Sequence, residues 1–176
     1  MVLEKGLVQV YTGDGKGKTT AALGLALRAV GRGLRVVIIQ FLKADASTGE
    51  LVSAKRLWPE LKIKSMGRAG FIGPEGPTAQ DRALAEAALR EARDIAHNGT
   101  CDVLVLDEIN VAVSLGLVAE AMVCELIETK SDHVELVLTG RGAPDSIMKR
   151  AHLVTTMEST RHYFDHGQSA RHGIEH

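Results

Sequence analysis

The sequence has few aromatic residues, little cysteine and almost no excess charge, and each shortage closes off a class of protein. Phe, Trp and Tyr make up only 3% of the 176 residues, whereas 45% are hydrophobic. A core built from this material must be aliphatic, from Val, Ile, Leu and Ala. The two cysteines, Cys101 and Cys124, lie far apart and outside any C-x-x-C pattern. That argues against a secreted disulfide scaffold and for two buried thiols in a reducing compartment. Lys and Arg total 21 against 22 Asp and Glu, a formal net charge of −1. General nucleic-acid binders carry a basic excess or a basic face, so no nucleic-acid partner is expected. No apolar run approaches the roughly 20 residues of a membrane span, and residues 1–6 lack the charged-then-apolar layout of a signal peptide. The expectation is a cytoplasmic protein with no membrane partner. Neither repeat nor linker divides the chain, and residues 1–176 read as one domain able to bury roughly 70% of its unfolded surface.

What is present alternates short β-rich runs with longer helical patterns, the signature of a parallel sheet covered by helices. Residues 7–11 form the first expected strand, followed at once by a glycine-rich turn. Residues 18–31 read as a helix, with Ala22, Leu23, Ala26, Leu27 and Val30 at helical spacing and Gly31 and Gly33 to stop it. Continuous apolar runs at 36–39 and 103–106 suit strands buried on both faces. A weaker strand is expected near 63–66, and further strands at 134–138 and 153–157. Glycines and prolines crowd residues 67–77, which must form a loop, and long loops of this kind are usually lids or binding loops. Thr78 and Asp81 form a capping-box-like pair opening a helix that Gly99 ends, and short helices follow around 110–130.

The chemistry concentrates in Thr12-Gly13-Asp14-Gly15-Lys16-Gly17-Lys18-Thr19-Thr20. The strict phosphate-loop pattern is G-x-x-x-x-G-K-[ST]; here Gly17-Lys18-Thr19 is intact, but Thr12 stands at the first glycine position. Gly13, Gly15 and Gly17 let the main chain curl so that N–H groups face an anion, and the helix starting near Lys18 adds its positive end. Lys18 would meet phosphate oxygens, and the Thr19 hydroxyl would ligate Mg²⁺ (or Mn²⁺). Four apolar residues ending in Asp107-Glu108 then place carboxylates at the carboxyl end of a neighbouring strand, beside the phosphate loop, as a metal site. Arg28 and Arg141 are further candidates for phosphate, since guanidinium forks match oxyanions. The fold class implied is α/β: a three-layer P-loop NTPase-like fold with a mostly parallel sheet of about six strands.

The chain resembles the P-loop ATP:corrinoid adenosyltransferases, which attach adenosine to cobalt in vitamin B12 biosynthesis. The resemblance is carried by residues 11–22, by Ala29-Val30-Gly31, by Gln40-Phe41-Leu42-Lys43 and by Val105-Leu106-Asp107-Glu108. Leu138-Thr139-Gly140-Arg141-Gly142, residues 162–167 and Gly173-Ile174-Glu175 complete it. In that family Thr12 at the first glycine position is normal. The resemblance implies ATP bound back to front, attack of a cobalt(I) corrinoid on the ribose C5′ carbon, and departure of inorganic triphosphate. Lys18, Thr19 and Glu108 would be the catalytic set, with Thr19, Asp107 and Glu108 at the metal. It also implies a flavodoxin-like or flavin reductant, a homodimer, and an apolar side chain that excludes the corrinoid's lower axial ligand. Phe71, in Gly70-Phe71-Ile72-Gly73, matches that residue, although Gly73 stands where the family has tryptophan. His162, His166, His172 and His176 read as polar surface residues, because Gly167 and Gly173 interrupt any helix that would align them. Two rivals remain open on the residues alone: a conventional P-loop phosphotransferase or ATPase, and a non-catalytic ATP-binding regulator.

Overall fold

The computed structural model describes residues 3–44, 47–68, 70, 72–73 and 75–175. Its strands are β1 (Val8–Thr12), β2 (Val36–Gln40), β3 (Leu61–Ser65), β4 (Val103–Asp107), β5 (Glu135–Thr139) and β6 (Leu153–Thr156). They form one sheet in the order β3-β2-β4-β5-β1-β6, and every pairing is parallel. Parallel neighbours need crossover connections, which supply α1 (Lys18–Val30), α2 (Gly49–Arg56), α3 (Ala79–Asn98), α4 (Ile109–Ser114), α5 (Glu120–Thr129) and α6 (Asp145–Met148).

Alternation along the strands divides the core in two. Val37, Ile39, Leu104, Leu106, Leu136 and Leu138 face α3 to α6 on one side. Val36, Ile38, Val103, Val105 and Val137 face α1 and α2 on the other. The helices meet the sheet through alanine: Ala22, Ala26 and Ala29 on α1, and Ala85, Ala88, Ala92 and Ala96 on α3. Small side chains let the helices lie close to the sheet, so few aromatics are needed to fill the gap. Phe41 and Tyr11 are the aromatic members of these two clusters.

The boundaries expected from sequence hold for most elements. The Thr78–Asp81 capping box forms in full, and Gly99 takes the left-handed conformation that ends α3. Three differences have physical causes. Leu27 is 61% exposed, because the buried stripe runs through Ala22, Ala26 and Ala29 and leaves position 27 off that face. β3 starts at Leu61, earlier than expected, since it pairs with β2 along its whole length from Val36↔Leu61 to Gln40↔Ser65. Helix α2 was not anticipated; it buries only Ala54 and so has no apolar stripe to announce it.

Register brings the polar strand ends level. Gln40 lies beside Asp107 and Ser65, and Tyr11 lies beside Thr139. One edge of the sheet therefore collects the phosphate loop, the acidic pair and the turn after β5. Among the described residues no helix is long and apolar enough to cross a membrane.

Candidate active site

The phosphate loop is shaped as much by its neighbours as by any ligand. Gly13 and Gly17 have φ of 91° and 124°, a region that L side chains rarely adopt. A Cβ at Gly13 would fall 2.4 Å from the Met157 carbonyl oxygen, and one at Gly15 would fall 2.5 Å from that of Glu158. The Gly15 N–H donates to Met157 O at 2.7 Å. That amide is engaged by the segment after β6, so the curled loop does not turn every N–H inward. The Lys18 ammonium donates to Gly13 O at 2.6 Å and to Gly15 O at 2.7 Å. Burial pushes its pKa below the usual lysine range; Glu108 opposes the shift and Arg141 adds to it. These influences also show that all three charges share one locality.

Asp107 is the hub. It is nearly inaccessible, and both of its oxygens accept from protein donors. Oδ1 takes the Thr19 hydroxyl at 2.7 Å and the Thr139 hydroxyl at 2.8 Å; Oδ2 takes the Lys43 ammonium at 2.9 Å. A hydroxyl that donates to Asp107 turns its own lone pairs elsewhere, so the Thr19 oxygen is free to accept or ligate. Thr139 oxygen in turn accepts the Glu108 N–H at 3.0 Å. Glu108 has φ of 65° at the start of α4, which swings its side chain off the strand. Burial and the Asp107 charge raise the Glu108 pKa, against Lys43, Lys18 and Arg141.

β5 lies between β1 and β4, so the acidic strand is the next but one from the phosphate-loop strand. Thr139, at the end of β5, bridges that gap. Neither Thr139 nor Lys43 was assigned a role from sequence; the visible signal was a polar residue closing an apolar run at the same edge.

The other expected residues divide. The Thr12 hydroxyl accepts the Ala143 N–H at 3.2 Å, so Thr12 tethers the turn after β5 and positions Arg141 by its backbone. Asp14 and Lys16 are exposed along the loop, and Thr20 is exposed in the first turn of α1. Lys16 pairs with Glu175 at 3.2 Å, and Glu175 is also gripped by Tyr163 and Arg171, so the C-terminal segment docks on the loop. Arg28 is exposed in the last turn of α1, about 15 Å along the axis from Lys18 at 1.5 Å per residue. It does not join the cluster. Phe71 and His176 lie outside the described residues. Beside Gly70 and Ile72 a pocket of about 220 Å³, lined by Leu42, Met66, Val111 and Leu115, opens at the same edge of the sheet.

The donor set suits a hard divalent cation. Mg²⁺ is usually held by one or two carboxylates with substrate phosphates supplying the rest, and here Asp107 holds the Thr19 hydroxyl while the adjoining Glu108 carboxylate feels both the Asp107 and the Lys18 charge. Among the described residues no group of three or more His, Cys, Asp or Glu could hold a metal ion.

Comparison with known proteins adds the chemistry. Residues 4–176 match the family model described as ATP:corrinoid adenosyltransferase BtuR/CobO/CobP. A corrinoid adenosyltransferase of Pseudomonas aeruginosa is 36% identical over 172 residues, covering 98% of this chain and 84% of the relative. The corrinoid adenosyltransferase CobA of Salmonella typhimurium is 31% identical, covering 98% and 86%. Among solved structures, a KaiC-like protein of Pyrococcus horikoshii OT3 superimposes with a TM-score of 0.58 at 19% identity, covering 90% of this chain and 75% of that one. That last likeness concerns the fold.

Proposed function

Because the chain belongs to the ATP:corrinoid adenosyltransferase family, it is an enzyme that adenosylates corrinoids with ATP, and we propose that the cluster around Asp107 is where it does so. In this reading the triphosphate lies in the glycine turn against Lys18, with Arg141 at its side. Cobalt(I) supplies the electron pair that forms the Co–C5′ bond. The C5′–O bond breaks, its pair leaves on the triphosphate, and the cobalt ends formally as cobalt(III). No proton moves, so no general base is required.

The work left to the protein is positioning and stabilising the leaving group, whose charge grows as the bond breaks. Lys18 is placed for that by the two carbonyl contacts that hold its ammonium over the loop. A bound Mg²⁺ would neutralise phosphate charge, and Glu108 with the Thr19 hydroxyl would hold it. The observation that carries this reading is the chain Thr19–Asp107–Thr139–Glu108, which locks the phosphate loop to the acidic strand end.

Phe71 is assigned to the lower face of the corrinoid. The largely apolar pocket between the segments that follow β2 and β3 and helices α3 and α4, lined by Gly70 and Ile72, supports that placement. A flavodoxin-like or flavin reductant and a homodimer complete the proposal; sedimentation tests the second. The decisive assay mixes protein, MgATP and chemically reduced cob(I)alamin. Adenosylcobalamin with an equivalent of inorganic triphosphate is the expected outcome. ADP and phosphate, indifferent to corrinoid, would overturn it.

A further inference from the structure

We propose that Lys43 is a positioning residue: it holds Asp107 as an anchor for the Thr19 hydroxyl rather than as a metal ligand, and it joins that anchor to the glycine-rich loop. The inference rests on the metal assignment above and deepens it.

Three observations converge on Lys43. Its ammonium donates to Asp107 Oδ2 at 2.9 Å, and the partner carboxylate is 1% exposed. A surface pair of this kind contributes little, but a charge as buried as Asp107 must be matched. Burial disfavours the Lys43 charge, but the Asp107 charge and hydrogen bond, together with Glu50 and Glu108, raise its pKa on balance. Second, the chain is bent to deliver this side chain. Leu42, immediately before it, has φ of 62°, a left-handed conformation that a non-glycine residue adopts at a cost. Third, the Lys43 backbone receives the loop that follows β3. Gly67 N–H donates to Lys43 O at 2.8 Å, and a Cβ at Gly67 would fall 2.4 Å from Lys43 N. Only glycine fits there. The same residue therefore touches the metal side through its ammonium and the corrinoid side through its carbonyl.

With Lys43 on one oxygen and two threonine hydroxyls on the other, Asp107 has its strongest accepting positions filled by protein. The Thr19 oxygen is fixed in direction as a result. Without Lys43, one Asp107 oxygen would be released and would compete for the cation, and the threonine would lose its reference. The loss should therefore fall on the Mg²⁺-dependent part of ATP binding.

The test uses the full chain and calorimetry with ATP, once with Mg²⁺ and once with EDTA, for wild type, Lys43→Met and Lys43→Arg. In Lys43→Met the EDTA affinity should stay within about twofold, whereas MgATP should bind about tenfold more weakly, the scale seen when a residue supporting a metal ligand is removed. Lys43→Arg should recover most of that loss. With pre-reduced cob(I)alamin, kcat of Lys43→Met should fall more than KM for ATP rises. If Lys43→Met does not fold by circular dichroism, Lys43→Gln, which keeps a donor, takes its place. Equal loss with and without Mg²⁺ would mean that Lys43 touches phosphate directly and would overturn the proposal. So would an undiminished Mg²⁺ gain in Lys43→Met, which leaves the metal assignment intact. A wild type whose ATP affinity ignores Mg²⁺ would instead remove that assignment itself.

Discussion

Replacing Thr139 by valine removes one oxygen and little volume, and it probes the centre of the site. The Thr139 hydroxyl is buried; it donates to Asp107 at 2.8 Å and accepts the Glu108 N–H at 3.0 Å. Valine does neither. Losing a hydrogen bond to a buried carboxylate and leaving a backbone donor without its acceptor together cost about 3 kcal/mol, since each contributes on the order of 1–3. For a domain of this size each kcal/mol moves Tm by about 2–4 °C, so the midpoint should drop about 6–12 °C. Activity should fall further than stability explains at the assay temperature. The Glu108 backbone holds φ of 65°, and the Thr139 contact helps to keep it there; a misplacement of about 1 Å at a catalytic group can cost 10²-fold. Thr139→Ser retains the hydroxyl and should stay within about 1 kcal/mol of wild type, the cost of deleting one buried methyl group. Thermal melts followed by circular dichroism, with triphosphate release measured well below the transition, read both effects. The reasoning fails if Thr139→Val melts with wild type, or if serine rescues nothing.

Lys18→Ala should abolish triphosphate formation while leaving the melting curve close to wild type, because the ammonium contacts two carbonyls of its own loop and no partner element; residual turnover at wild-type rate would refute the role. Asp81 has its pKa lowered to about 2 by the Thr78 hydroxyl and N–H and by Arg68. Its unfolded value is about 3.9, so the stability it adds is present above about pH 4 and disappears as pH falls through about 2. Asp81→Asn should therefore lower stability at neutral pH and flatten the acid limb of urea midpoints measured against pH. Burial, helped by Asp102, pushes the Cys101 thiol up to about 12, so Cys101 should resist alkylation at pH 8 until the protein is unfolded, as mass spectrometry of the modified peptide would show.

Much of this architecture could be read locally. Val36–Gln40 and Val103–Asp107 are uniformly buried, and a run of apolar residues between turn signals says as much. Gly13, Gly17, Lys18 and Thr19 declare a phosphate loop by type and spacing, and Thr78 with Asp81 declares a helix start. Positions that depend on strand order could not be read this way. Thr139 acquires its role only because β5 sits between β1 and β4, and Lys43 acquires its own because β2 flanks β4 on the other side, with Gln40 level with Asp107. Nothing in the neighbouring residues encodes which strands will be adjacent. Arg28 fails in the opposite sense. A basic residue after a phosphate loop looks available, but ten helical residues carry it to the far end of α1. Thr12, expected at the phosphate site, closes β1, and its hydroxyl serves the next turn through Ala143.

Among the described residues, the two non-glycine positions with positive φ, Leu42 and Glu108, follow adjacent strands at the same edge. Coincidence is a poor account of this, because each conformation costs energy and persists only where surrounding contacts over-determine it. Here the contacts can be named. Glu108 is tied by its N–H to Thr139, and the segment at Leu42 is tied by Lys43 to Asp107 and by the Gly67 amide to the Lys43 carbonyl. Both strained turns thus lean on one buried carboxylate, and through Thr19 that carboxylate also holds the phosphate loop. In the proposed reaction, which needs no acid or base, Asp107 would serve by keeping three loops in register, so that whatever binds the phosphates and whatever packs against the pocket would meet at a fixed separation. Direct attack of a metal on carbon is sensitive to distance and line of approach, and a hub of this kind supplies both.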